Sequence, residues 1–323
     1  MHTVPELVAQ ASAVGLISHR EVIDGIVGVR DESRSNHVHA ILVRNRPVAY
    51  VKQRGAASAL DGDDVIARER RALSCLVDLD CTPQLLSQAA GDLLWVAALR
   101  GSDLAAQHGN VPELAEICQA WGAELGKLHQ APVRAGAPLA LRPWVLAPSH
   151  RGRSMRGAPA GSGYATVLAA IEGEPSLRAA AAEADQRWSE RHWMHGDLSA
   201  TNVMVDTVPC LQVRFVDFED AGLGDPAWDL ATALDTIGYL APGWSSPSEP
   251  LVEYFLRGYR HADGPGRLYP AIQAVRAVAT AWQIAGAEQR GSDAAAVRQQ
   301  VAEWLTRARG YARSSSYASR AVA

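Results

Sequence analysis

The sequence predicts an α+β protein of two lobes, a small β-rich N-terminal lobe and a larger, mainly helical C-terminal lobe. Three observations lead there. The chain has 323 residues, more than one average domain, so two cores are expected. Short alternating runs bounded by turn residues occupy much of the first hundred positions. Past them, apolar residues recur mainly at helical spacing.

Leu7, Val8, Val14 and Ile17 give the region 1–24 a helical pattern. The runs 23–29, 37–44 and 47–52 read as strands, with Asn45-Arg46 as the turn between the last two. A helix over about 63–77 places Val65, Ile66, Leu73 and Leu76 on one face and Arg68, Arg70 and Arg71 on the other. The apolar run 93–99 closes the N-lobe, 1–99, and 100–104 reads as a hinge. A helical C-lobe follows over 105–310. Its clearest helix spans 112–129, with Leu114, Ile117, Cys118, Trp121, Leu125 and Leu128 as its stripe and His129 as a packing or capping residue. The stretch 147–163, rich in Gly, Pro and Ser, reads as a mobile loop, and 311–323 as a disordered tail.

A net charge of −4 offers no general basic face, so neither nucleic acid nor an anionic membrane is expected as a partner. No apolar run approaches the roughly 18 residues of a membrane span. The N-terminus lacks a signal-peptide pattern. Cys75, Cys81, Cys118 and Cys210 have no metal-ligand spacing and read as reduced thiols. A soluble, cytoplasmic protein is expected.

The segment His195-Gly196-Asp197-Leu198-Ser199-Ala200-Thr201-Asn202, followed by Val216-Asp217-Phe218, carries the chemistry. An Asp, an Asn five positions on and a second Asp fifteen further form a phosphoryl-transfer set. In that set the first Asp, Asp197, accepts the proton of the attacking hydroxyl, and Asn202 and Asp217 hold magnesium. Strands at 203–206 and 213–218 would form a hairpin that returns Asp217 beside Asn202. Such a set needs a cation on the nucleotide phosphates, steadied by a helix carboxylate. Lys52, the one lysine in the first hundred residues, ends an alternating strand. Glu69 shares the apolar face of the helix over 63–77, where an acid needs a cationic partner. Ser35 and Asn36 supply donors for phosphates at a strand turn. Asp225 reads as the cap of a helix opening at Pro226, and Asp229 on its first turn can reach back to the loop at 195–197.

These residues resemble the aminoglycoside phosphotransferase and choline kinase group. The resemblance rests on His195-Gly-Asp197-Leu-(three residues)-Asn202, Val216-Asp217-Phe218-Glu219 and Gly224-Asp225-Pro226-Ala-Trp-Asp229-Leu. Weaker matches are Ser35-Asn36, Lys52 and Leu125-Gly-Lys-Leu-His129, and the likeness spans roughly 22–300. It implies a bilobal protein-kinase-like fold, Asp197 as the catalytic residue, Asn202 and Asp217 as magnesium ligands, and Lys52, held by Glu69, on the phosphates of ATP or GTP. His195 and Asp229 are supporting residues.

The expected function is an ATP-dependent kinase acting on a hydroxyl of a small molecule or natural product of the antibiotic type. Two alternatives stand beside it. One is a kinase for Ser or Thr of a precursor peptide, with room for a partner protein. The other is a catalytically silent kinase-like scaffold. The acid-free, basic stretch 125–171, with Lys127, Arg134, Arg142, Arg151, Arg153 and Arg156, favours an acceptor that is not a polycation.

Overall fold

The computed structural model describes residues 2–33, 36–55, 64–86, 93–107, 111–146, 161–241, 248–289 and 291–321. An antiparallel sheet in the order β1-β2-β3-β4 comprises Val27–Asp31, His37–Val43, Arg46–Gln53 and Leu93–Ala97. Side chains on one strand alternate between faces. On β3, Ala49 and Val51 join Ile41 and Trp95 in a small core covered by Leu7 and Ala11 of α1, Val4–Ala13. Tyr50 and Lys52 therefore face the other side. There β4 contributes Leu94 and Val96 to the main core, together with Ile66, Ala72 and Leu73 of α3, Val65–Cys75. This period-two alternation points Lys52 at α3.

Some boundaries differ from the sequence reading. The region read as one helix over 1–24 is α1 followed by α2, His19–Ile23, because the chain turns at Gly15 with φ 76°. That short helix uses Ser18 as its cap, and it takes up the start of the segment read as a strand over 23–29. The β2–β3 turn falls on Arg44 and Asn45, both at positive φ, one position before the expected pair. The stretch read as a loop over 147–163 lies outside the described residues as far as 160, and Ser162 caps α5, Gly163–Gly173.

β5, Ser102–Asp103, pairs with β7, Val203–Asp206, which pairs in turn with β8, Gln212–Phe215. A second pair joins β6, His192–Met194, to β9, Gly222–Gly224. Together these short strands carry the loops at 195–202 and 216–221. Around them lie α4, Val111–Gln130, α6, Pro175–Arg187, α7, Pro226–Leu240, α8, Ser248–His261, α9, Pro270–Gln289, and α10, Ala294–Ala321. α4 and α8 approach backbone to backbone. A Cβ at Gly258 would collide with Gln119 O, and one at Gly122 with Phe255 O. A second core joins α5, α6, α9 and α10 to Trp228.

α10 corrects one expectation, since residues 311–321, read as part of a disordered tail, continue this helix. Ala312 is buried in the second core, and Arg309 binds Glu174 through Nε at 2.8 Å and Nη2 at 2.5 Å, which anchors the turn before it. Among the described residues, no helix is long and apolar enough to cross a membrane.

Candidate active site

Gly196 adopts φ 91°, and a Cβ there would press on Asp220, so the loop after β6 requires glycine at that point. The loop hangs from Asp229 on the first turn of α7. The fully buried carboxylate accepts from His195 N–H at 2.6 Å and Gly196 N–H at 2.9 Å. His129 Nε2 donates to the same carboxylate at 3.1 Å, and His129 Nδ1 accepts from the Tyr259 hydroxyl at 2.8 Å. Tyr259 in turn accepts from Gly266 N–H at 2.8 Å. Burial opposes the charge on Asp229, but the His129 hydrogen bond and the loop amide hold its pKa below the usual carboxylate value. His129, read from sequence as a packing or capping residue, is therefore a hydrogen-bonded member of the loop's support.

His195 is buried against Phe218, with ring centroids 4.6 Å apart. Its Nδ1 lies 3.3 Å from Asp197 N–H, which it accepts, so Nε2 carries the proton given to Val216 O at 2.9 Å. Asn202 Nδ2 donates to both the backbone O and Oδ2 of Asp197, each at 3.0 Å. Asp197 Oδ1 is buried with no partner among the described residues. Burial raises the Asp197 pKa, while Arg276 and His195 oppose that rise.

Lys52 Nζ donates to Glu69 Oε1 at 2.7 Å and Oε2 at 2.9 Å, and to Asp217 Oδ1 at 2.6 Å. Burial works against its charge, yet the two carboxylates outweigh burial and its pKa lies above the ordinary lysine value. Glu69 Oε1 also accepts Phe218 N–H at 3.2 Å. That bond pins the chain next to Asp217, a non-glycine residue at φ 69°, ψ 66°. The expected hairpin is present as β7 and β8, and Val216 N–H donates to Asn202 O at 3.0 Å, which sets Asp217 beside Asn202.

A cavity of about 610 Å³ lies between the sheet and these loops. Its lining includes the apolar Val38, Val96, Leu99, Met204 and Val216 and the polar Lys52, Asn202 and Asp217. Asn36 also lines it, accepts Gly55 N–H at 3.0 Å, and donates to Glu219 Oε2 at 2.5 Å. Ser35 lies outside the described residues. Glu219 was not singled out in the sequence as a cleft residue. Burial, then Asp217 and Asp220, push its carboxyl up to about 8.

A sequence model of the phosphotransferase enzyme family matches residues 39–275, a span that holds Lys52, Glu69, Asp197, Asn202 and Asp217. The chain belongs to this family. No curated protein sequence matches it. Among solved structures, this phosphotransferase resembles a Plasmodium vivax ethanolamine kinase at 13% identity and TM-score 0.59, over 95% of this chain and 89% of the other. It also resembles the macrolide 2′-phosphotransferase MphH of Brachybacterium faecium, at 20% identity, TM-score 0.55 and coverage of 94% and 98%. A third is an aminoglycoside phosphotransferase of Streptomyces rimosus, solved with ADP and streptomycin, at 18% identity, TM-score 0.57 and coverage of 87% and 99%. At these identities the likeness establishes a shared kinase-like fold.

Proposed function

We propose that this phosphotransferase is an ATP-dependent kinase that transfers the γ-phosphoryl group to a hydroxyl of a small molecule or natural product of the antibiotic type. The observation that carries the reading is the convergence of five residues from β3, α3 and two loops, four of them lining one cleft and Asp197 bonded to Asn202 at its side. Lys52, Glu69, Asp197, Asn202 and Asp217 meet there by direct hydrogen bonds or through the shared backbone of the β7–β8 hairpin.

Each residue has a role that its surroundings support. The unpartnered Oδ1 of Asp197 is the acceptor for the hydroxyl proton, and Asn202 fixes the other oxygen. Lys52 is the contact for the α- and β-phosphates, held by Glu69, and Asn36 borders the phosphate end. The apolar side chains of the cavity suit a nucleotide base. Asn202 and Asp217 are the residues that would hold a magnesium ion, a hard cation that takes oxygen ligands. Among the described residues lining the cavity, Lys52 is the one lysine or arginine, against Glu32, Glu69, Asp103, Asp217 and Glu219. A tetraanionic nucleotide needs further positive charge in such a cleft. When bound, magnesium and ATP supply the phosphoryl group and offset its charge in transfer.

The test is mass spectrometry of hydroxylated antibiotics, amino alcohols and Ser/Thr peptides incubated with the protein, magnesium and ATP, with Asp197→Ala as control. A phosphoryl adduct on a small molecule, lost in the variant, supports the proposal. Adducts confined to peptides would replace it with a peptide kinase, and nucleotide binding without any adduct would replace it with a silent scaffold.

A further inference from the structure

The nucleotide cleft does not use the charged residues that face Asp197 from α7 and α9. Arg276 stands in the middle of the apolar run of α9 and is only 5% exposed. Its guanidinium lies over the Trp228 ring, 5.2 Å from the centroid. That indole donates to Gly196 O at 2.9 Å, so the cation sits one ring away from the loop that carries Asp197. Two turns further along α7, the Thr236 hydroxyl donates to Leu198 O at 3.2 Å. Arg276 therefore lies beside the loop that carries Asp197, near enough for its charge to act on that carboxylate.

Its hydrogen bonds are few for its burial. Nη2 donates to Gln283 Oε1 at 3.0 Å, and Nε is buried with no partner. Asp235, Asp197 and Asp229 all favour its charge, yet among the described residues none of them is within ion-pair reach. Asp235 instead accepts from the Thr280 hydroxyl at 3.1 Å. A purely structural buried arginine spends its donors on carbonyls or a carboxylate, because burying an unpaired guanidinium is costly. Here the charge is compensated at a distance while Nε stays without a partner. A planar fork of donors matches a carboxylate.

We propose that Arg276 determines acceptor specificity by binding a carboxylate that the acceptor carries near the hydroxyl to be phosphorylated. The acceptor class is then a free hydroxy acid, and not a polyamine. The inference rests on the reading of Asp197 as the group that receives the hydroxyl proton.

The test compares kcat/KM with magnesium and ATP for acceptors that differ by one carboxylate: L-serine with ethanolamine, and L-homoserine with 3-aminopropan-1-ol. Wild type, Arg276→Gln and Arg276→Lys are measured, with acceptor-free ATP hydrolysis by the wild type alongside. The wild type is expected to favour the carboxylate-bearing member by about tenfold or more, the effect of about 1.4 kcal/mol. R276Q should erase that ratio, and R276K should fall between, since it keeps the charge and loses the fork. A wild-type preference for the amines, no preference, or a ratio unchanged in R276Q overturns the proposal. So does a wild type that hydrolyses ATP but phosphorylates neither hydroxy acid. A wild type with neither hydrolysis nor transfer refutes the kinase reading itself, and the inference falls with it. If R276Q does not fold, the wild-type ratio and R276K still decide.

Discussion

Asp229→Ala offers a direct measure of what the catalytic loop's support is worth. The carboxylate is fully buried and takes three donors, His195 N–H, Gly196 N–H and His129 Nε2–H. Hydrogen bonds to a charged group contribute about 1.5–3 kcal/mol each, and their loss leaves buried donors unpaired. The three share one carboxylate and His129 keeps its bond to Tyr259, so the sum is not additive. A loss of about 4 kcal/mol is expected, read as a lower urea midpoint at unchanged slope. Asp229→Asn keeps one acceptor oxygen and should lose about 2 kcal/mol. The pH dependence follows from the depressed pKa. Its contribution is complete above the unfolded carboxylate value of about 3.9 and is lost as pH falls through the lower folded value. Asp229→Asn should therefore flatten the acid limb of stability below about pH 4. The folded fraction of Asp229→Ala should transfer phosphate about 100-fold more slowly, since Asp197 lies on the loop that moves. A stability loss under about 1 kcal/mol, or an activity loss that merely tracks the unfolded fraction, would refute this reasoning.

Other expectations concern the cleft and the α4–α8 helix pair. Glu219 has a folded pKa of about 8, above its unfolded value, so its contribution is present at low pH and fades as pH rises from about 4.5 to 8. Urea titrations across that range should show nucleotide-free stability falling in the wild type and falling less in Glu219→Gln; identical slopes would contradict the assignment. Gly258→Ala must push α8 off Gln119 O in α4 and should cost about 1–3 kcal/mol or more in thermal unfolding. A neutral substitution there would show that the two helices yield.

Much of the cleft could be read from the sequence because local rules determine it. Strand alternation put Lys52 on the face toward α3, and an apolar helix face carrying Glu69 demanded a cation. The spacing from Asp197 to Asn202 and Asp217 encoded the β7–β8 hairpin. Pro226 after Asp225 marked the start of α7, and Asp229 its reach back to the loop. What was missed depends on tertiary partners. His129 meets Asp229 one hundred residues away, and Asn36 meets Glu219 across the cleft, contacts that no local pattern announces. Arg276 left a signal, a single arginine inside the apolar run Ala271–Ala279, but its meaning needed Trp228 beneath it. The last helix outlasted its expected end because Ala312 packs into the second core behind the Arg309–Glu174 pair.

The central claim is that Asp197 takes the proton of an acceptor hydroxyl in a nucleotide cleft built around Lys52. It is tested most directly by phosphoryl transfer at saturating magnesium and ATP in wild type and Asp197→Asn, with ATP affinity measured on both. The account predicts a kcat lower by roughly 10²–10⁴-fold while ATP still binds. A variant that keeps wild-type turnover, or that loses ATP binding along with activity, would contradict it.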